Sequence, residues 1–424
     1  MNIFTKNNIS LLVPPNSQGV IVYLPFANYA EVVDSEDIIN LESSLKNEGK
    51  DYPKLNNILK KITKNKSHLY KTPRTIDGMR SLMLLPNNKC NFHCSYCYSA
   101  KGRTNGEISP NILKAGLTYF LNPQRAKDER LSISVLGGGE PLLSWELLKS
   151  ALEYAFAMNE KRTKDCPISL VTNGSICSDE IISFCVDNNI SMSVSFDILP
   201  DVQNKQRGHW ERVSTNINRF AEAGMDVALN TVISNENVTR MTEMIEHLHI
   251  HNPLVKKVSF KTLIAKNYFH DLASRRNYYE SFILNFFEAK KIADDYGIWL
   301  TCSYMNTCMT LTDRYCHGKF VITSEGDISS CHTVGSKYDE LYDKFIFGHI
   351  DEQTGQVSID NEKLAAILSH DVYRNPTCGD CPARWHCAGG CYADHFHLNE
   401  EEHEAYCESM RLFLANYLTY KYKL

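Results

Sequence analysis

Nowhere does this 424-residue chain approach the roughly eighteen consecutive apolar residues of a membrane-spanning helix. Positive charge is not in excess either: 45 Lys and Arg face 50 Asp and Glu, a net charge of -5 with no basic stripe. That balance argues against nucleic-acid binding. The opening string MNIFTKNNISLLVPP lacks the apolar core and cleavage site of a secretory signal, so a soluble, cytoplasmic chain is expected. Internal repeats and low-complexity tracts are also missing. Hydrophobic residues at 43% and charged residues at 22% are globular proportions, and the length suits two or three units. Cysteine, by contrast, is abundant. Fifteen of them in a chain with reduced thiols make metal or cluster ligation the leading account.

The chain divides into three regions: 1–77, 78–300 and 301–424. In the first, GVIVYLP (Gly19 to Pro25) and YAEVVD (Tyr29 to Asp34) read as strands around a turn at Phe26 to Asn28. Helical stretches are expected near Asp37 to Asn47 and Leu55 to Lys64, then a Lys-rich linker, KKITKNKSH. The middle region alternates strands and helices, the pattern of parallel βα units. Its strand candidates are Ser81 to Pro86, Ser132 to Leu136, Ile168 to Thr172, Ser191 to Phe196, Val227 to Val232 and Lys257 to Thr262. Between Asn277 and Tyr296 an aromatic stripe at helical spacing predicts a core-facing helix. Six units fall short of a closed eight-stranded barrel and predict an α/β fold with a partial, TIM-like (β/α)6 barrel. In such barrels the site gathers at the carboxyl ends of the strands. There stand KCNFHC, GGGEP, NGS and Asp197, after the first four strands in turn.

Cys90, Cys94 and Cys97 follow the first strand as C-x3-C-x2-C. Three thiolates can hold a cubane iron-sulfur cluster and leave one iron without a protein ligand, where a reaction can occur. A zinc site sharing His93 is the alternative. The spacing resembles the signature of radical S-adenosylmethionine (SAM) enzymes. The resemblance implies that the three thiolates bind a 4Fe-4S cluster, that SAM chelates its fourth iron, and that reduction releases a 5'-deoxyadenosyl radical. Tyr96 fits the aromatic of that motif and would pack near the adenine. Gly137 to Pro141 contains glycines that allow close backbone approach, and Glu140 can pair with an ammonium group. By resemblance Gly138, Gly139 and Glu140 bind the methionine part of SAM, Ser195 its ribose and Arg207 its carboxylate. Asp197 and Asn230 are weaker candidates, and the Thr172-Asn173-Gly174 turn reads equally as a cap or turn former.

Nine cysteines lie beyond Trp299. Cys316-x9-Gly326-x4-Cys331, then Cys378-x2-Cys381-x5-Cys387-x3-Cys391 and Cys407, resemble the seven-cysteine SPASM extension of radical SAM enzymes that modify peptides and proteins. A zinc ribbon is the competing reading, although seven thiols exceed one tetrahedral site. The resemblance implies two auxiliary 4Fe-4S clusters, three in all. One would take Cys316, Cys331, Cys391 and an upstream cysteine, Cys308 or alternatively Cys302; the other Cys378, Cys381, Cys387 and Cys407. Cys166, Cys177 and Cys185 read as small apolar core residues. The implied function is peptide modification by hydrogen abstraction, installing a C-C or thioether crosslink, with a precursor peptide as substrate and a flavodoxin or ferredoxin-type electron donor. An anaerobic sulfatase-type maturase making formylglycine is the alternative enzyme. His332 stands where those maturases carry an Asp, and it too can take a proton. A non-catalytic cluster scaffold is the alternative from another class. The first region resembles in length and pattern the small domains to which leader peptides add as a strand.

Overall fold

The structure is a computed structural model and describes residues 2–6, 9–12, 19–34, 68–126, 130–263 and 268–424. A four-stranded antiparallel sheet comes first, in the order β1 (Asn2–Lys6), β2 (Ile9–Leu12), β3 (Gly19–Leu24), β4 (Tyr29–Asp34). β3 and β4 are the expected pair. Asn28, at φ 47°, closes the turn between them, a left-handed position that asparagine tolerates well. β1 and β2 were not expected, because runs of five and four residues show too little alternation to announce strands. The helices expected near Asp37 to Asn47 and Leu55 to Lys64 lie outside the described residues, as does the linker through Lys66.

This sheet is anchored on the C-terminal region by polar contacts. Tyr23 and His386 are both buried, with their Oη and Nε2 atoms 2.6 Å apart. His386 Nδ1 sits 2.9 Å from the Thr310 carbonyl, where it can only donate, so Nε2 accepts from the tyrosine hydroxyl. Phe26 meets Trp385 edge-on, and Lys421 and Tyr422 both donate to Asn28 Oδ1.

The second sheet has eleven strands. Six are the expected parallel strands: β5 (Ser81–Leu84), β6 (Ser132–Val135), β7 (Ile168–Thr172), β8 (Ser191–Ser195), β9 (Val227–Ile233) and β10 (Lys257–Thr262). Helices cross between them at Pro110–Phe120, Trp145–Asn159, Asp179–Asp187, Trp210–Glu222 and Met241–His251. A seventh parallel strand, β11 (Trp299–Cys302), pairs with β10, so the expected boundary at 300 falls inside a strand. It follows the helix Leu272–Asp295, whose start is fixed by a capping box between Asp271 and Ser274. On the far side, β5 pairs in parallel with β12 (Phe320–Ile322). β13 (Asp327–Ser329), β14 (Ile346–Ile350) and β15 (Val357–Ile359) then continue the sheet antiparallel.

Side chains alternate across the parallel strands as a sheet with one helix-covered face requires. Leu82, Leu84, Ile133, Val135, Leu170, Met192, Val194, Leu229, Val258 and Phe260 are buried with helix residues such as Leu113, Leu148 and Phe220. The opposite set is half-buried: Ser81, Ser134, Ser169, Ser193, Ser195, Asn230, Ser259 and Lys261. These polar residues line the concave side, where Ser134 and Ser169 hydroxyls lie 2.9 Å apart.

Candidate active site

The loop carrying Cys90, Cys94 and Cys97 leaves β5 and is stitched to the end of β6. Gly139 N-H donates to the Asn87 carbonyl, and Glu140 N-H to that of Lys89. Glycine is required there, since a Cβ on Gly139 would lie 1.9 Å from the Lys89 carbonyl and one on Gly138 2.3 Å from Asn88 Oδ1. The glycine run therefore admits the cysteine loop itself, a use additional to approach by a ligand. Glu140 is 1% exposed, and its carboxylate accepts from Leu142 N-H, the Thr172 hydroxyl and Asn173 N-H. It thus pins the Thr172-Asn173-Gly174 turn, from which Asn173 reaches Asn91 at 2.8 Å and Cys90 Sγ at 3.9 Å. Burial pushes the Glu140 carboxyl up, against these hydrogen bonds.

The other wall is a polar triad of buried Asp197 with half-buried Tyr96 and Arg207. Tyr96 donates to Asp197 at 2.6 Å and accepts from Arg207 at 3.0 Å. Asp197, 0% exposed, also accepts from Gln206 and from Val232 N-H. The structure thus brings Tyr96, Asp197 and Arg207 together beside Cys94, and the Tyr96 hydroxyl serves this triad. Arg207 Nε is buried with no partner among the described residues, leaving one donor available. Ser195 and Asn230 stand opposite each other on β8 and β9.

Two arginines lie beside the thiols. Arg103 donates to Cys97 Sγ at 3.3 Å; although burial raises that thiol, hydrogen bonds with Ser99 and Arg103 leave it below its ordinary range. Burial pushes Cys94 up, Arg207 opposes it, and Cys97 and Cys90 add to the rise. Three mutually repelling thiols on one loop, with two guanidinium groups beside them, fit a cubane that leaves one iron free of protein. Among the described residues no three His, Cys, Asp or Glu side chains are grouped as a single ion needs.

Residues 84–248 match the family model of the Radical SAM superfamily. The chain carries a radical SAM domain. Relatives extend the likeness beyond the matched segment. The radical SAM cyclopropyl synthase TigE of Paramaledivibacter caminithermalis is 24% identical over 355 residues, 75% of this chain and 68% of TigE. Among solved structures, anSMEcpe with bound AdoMet and Cp18Cys peptide superposes with a TM-score of 0.64 at 16% identity, covering 81% of this chain and 99% of that one. SuiB of Streptococcus suis, bound to precursor peptide SuiA, gives 0.52 at 15% identity, covering 95% and 98%. These two likenesses concern the fold.

Beyond the radical SAM domain, the C-terminal thiols fall into two electrostatic groups. Cys331 feels the charge of Cys316, and Cys391 that of Cys331. Cys387 is surrounded by Cys381, Cys407 and Cys378. Cys308, expected as the upstream member of the first group, lies instead toward the second. It is buried at the end of the helix Ser303–Cys308, where Cys302 and Lys421 act on it and where it acts on Cys387 and Tyr23. Cys302 caps the start of that helix, its sulfur accepting from Met305 N-H. The helix turns Cys308 toward the N-terminal sheet. Cys166 and Cys185 are buried as expected and Cys177 is half-buried.

His332 lies between the two ends of the site. Its ring meets Tyr98, the neighbour of Cys97, edge-on at 6.1 Å, and Lys319 Nζ is 3.2 Å from its Nδ1. Lysine can only donate, so Nδ1 accepts and the ring proton sits on Nε2. Burial, with Lys319 and Lys261 adding to it, pushes His332 down to about 3. Sequence reasoning missed Arg103, Lys319 and Lys261. For Lys261 the signal was present, since alternation in KVSFKT puts it on the face opposite Val258 and Phe260.

Proposed function

We propose that this enzyme cleaves SAM reductively and modifies a ribosomally synthesised peptide by hydrogen abstraction, forming a C-C or thioether crosslink between side chains. The observation carrying this reading is the joint presence of a thiol loop at the mouth of an open barrel and two further thiol groups beyond it. Cys90, Cys94 and Cys97 would hold a 4Fe-4S cluster, which when bound would supply the electron for reductive cleavage of SAM. Around it, Glu140 and Asn173 hold the loop from one side and Tyr96, Asp197 and Arg207 from the other. Arg207 keeps a fixed positive charge near Cys94, suited to the SAM carboxylate. Ser195 and Asn230 on the concave face suit its ribose. Gly138 and Gly139 place main-chain groups beside the loop for its methionine end.

Cys316, Cys331 and Cys391, and Cys378, Cys381, Cys387 and Cys407, would hold auxiliary clusters, which when bound would offer an outlet for the electron that a net oxidation releases. External reduction by a flavodoxin or ferredoxin-type protein in the cytoplasm completes the cycle. Among the described residues no helix is long and apolar enough to cross a membrane. The peptide reading draws on the N-terminal sheet, whose β1 is an edge strand in the described structure while β4 packs on the helix Glu400–Tyr422. An edge strand offers unpaired main-chain groups to an incoming strand. SuiB was solved with a precursor peptide, anSMEcpe with a peptide, and TigE's name denotes closure of a carbon ring, which favours a C-C outcome. Formylglycine formation is disfavoured at His332, because its one basic lone pair already faces the Lys319 ammonium.

Anaerobically reconstituted protein with SAM and dithionite should form 5'-deoxyadenosine. Co-expression with a short peptide encoded beside it should yield a peptide two hydrogens lighter by mass spectrometry. No deoxyadenosine from iron-replete protein would refute the chemistry; an unaltered peptide, with a neighbouring sulfatase oxidised instead, would refute the substrate.

A further inference from the structure

Two lysines act on His332, Lys261 and Lys319, and among the described residues neither has an acidic partner. Lys261 stands near the carboxyl end of β10, in register with Val232 of β9 and two residues beyond Ser259, which pairs with Asn230 and through it with Ser195. Lys319, just before β12, donates to His332. Both charges act on His332, and Lys319 acts on Lys261. Among the described residues no carboxylate pairs with either lysine, and the neighbouring segment 264–267, Ile-Ala-Lys-Asn, contains no acid. Lys319 has the thiol of Cys331 nearby to offset its charge. Beside Lys261 stands Cys302, whose sulfur is taken up by Met305 N-H at the start of the helix Ser303–Cys308. Holding two like charges together in a half-buried cleft is unfavourable unless an anion joins them.

We propose that Lys261, assisted by Lys319, binds a carboxylate of the substrate and thereby positions the residue that meets the deoxyadenosyl radical. The place fits: His332 and Tyr98 link the lysines to the Cys97 loop on one side, and Cys331 follows on the other. The carboxylate comes from an Asp or Glu side chain or from the peptide's own C-terminus. Lysine, a point charge with three donors, accepts either. The inference rests on the peptide-modifying reading above.

The test uses the anaerobically reconstituted full chain with SAM and four small probes. N-acetyl-glutamate N-methylamide carries a side-chain carboxylate and N-acetyl-alanine a terminal one. N-acetyl-glutamine N-methylamide and N-acetyl-alanine N-methylamide are their uncharged counterparts. In equilibrium dialysis one acid should be retained at least tenfold better than its amide, and which acid does so tells side chain from terminus. Lys261→Met and Lys261→Gln should abolish that preference, and Lys261→Arg should keep most of it. Iron content equal to the unaltered protein identifies a variant that has folded. Equal retention of acids and amides, or a preference that survives both neutral variants, overturns the proposal. Absence of deoxyadenosine from the unaltered protein would instead strike the functional reading beneath it.

Discussion

The thiols after β5 and those beyond β12 live in different surroundings. Cys90, Cys94 and Cys97 sit on a loop braced by hydrogen-bonded polar groups, with Arg103 and Arg207 supplying positive charge. Cys387, Cys391 and Cys407 are packed among short helices and aromatic rings, and burial pushes Cys391 and Cys407 up to about 12. Near Cys407 and Cys381 only Arg411 offsets the charge. A loop held by polar groups keeps its shape and its electrostatic bias independently of what it binds. Four-residue helices such as Arg384–Cys387 and Asp394–His397 cannot stand alone, so their order depends on what the thiols hold.

Three experiments press on that contrast. The largest effect belongs to Cys94→Ala, which should eliminate deoxyadenosine formation, whereas Cys387→Ala should lower iron by roughly four per chain and still permit it. Product analysis by chromatography with an iron assay decides; equal loss in both variants would erase the distinction. Next comes Asp197→Ala, which strips Arg207 of its buried carboxylate partner and should destabilise the barrel by about 3–5 kcal/mol. Its denaturation midpoint should fall well below that of Asp197→Asn, which keeps a hydrogen-bond acceptor for Tyr96 and Val232 N-H. The smallest is Tyr23→Phe. Removing its hydroxyl leaves His386 Nε2 buried and unpaired, costing about 1–3 kcal/mol. Hydrogen exchange should quicken in β3 and in 384–387 while β5 to β10 keep their protection.

Much of this was readable from the chain. The six parallel strands follow from short β-branched and apolar runs between helical stretches, and β7 begins and ends where its alternation does, at Ile168–Thr172. The cysteine loop and glycine run were visible because chemistry there demands fixed spacing. Less legible was what depends on folding back across the chain. Glu140 holding Asn173 joins residues 33 apart, Tyr96 and Arg207 join across 111, and Tyr23 with His386 across 363. No local pattern encodes such pairs. Cys308, eight residues before Cys316, is likewise carried by a single helix toward Cys387 and Tyr23.

The pairing of β5 with β12 has a consequence for how the chain can be divided. β5, which launches the cysteine loop, lies between β6 and a strand that arrives some 240 residues later, |i−j| being 238 for the pair Phe320 and Leu82. A fragment ending at residue 300 would strip one whole flank of β5 and leave its amides facing water or a neighbouring molecule. Such a piece should self-associate through that flank and lose the loop's orientation. The part carrying the Cys90 loop and the part carrying the later thiols are thus woven into one sheet and should fold as a unit.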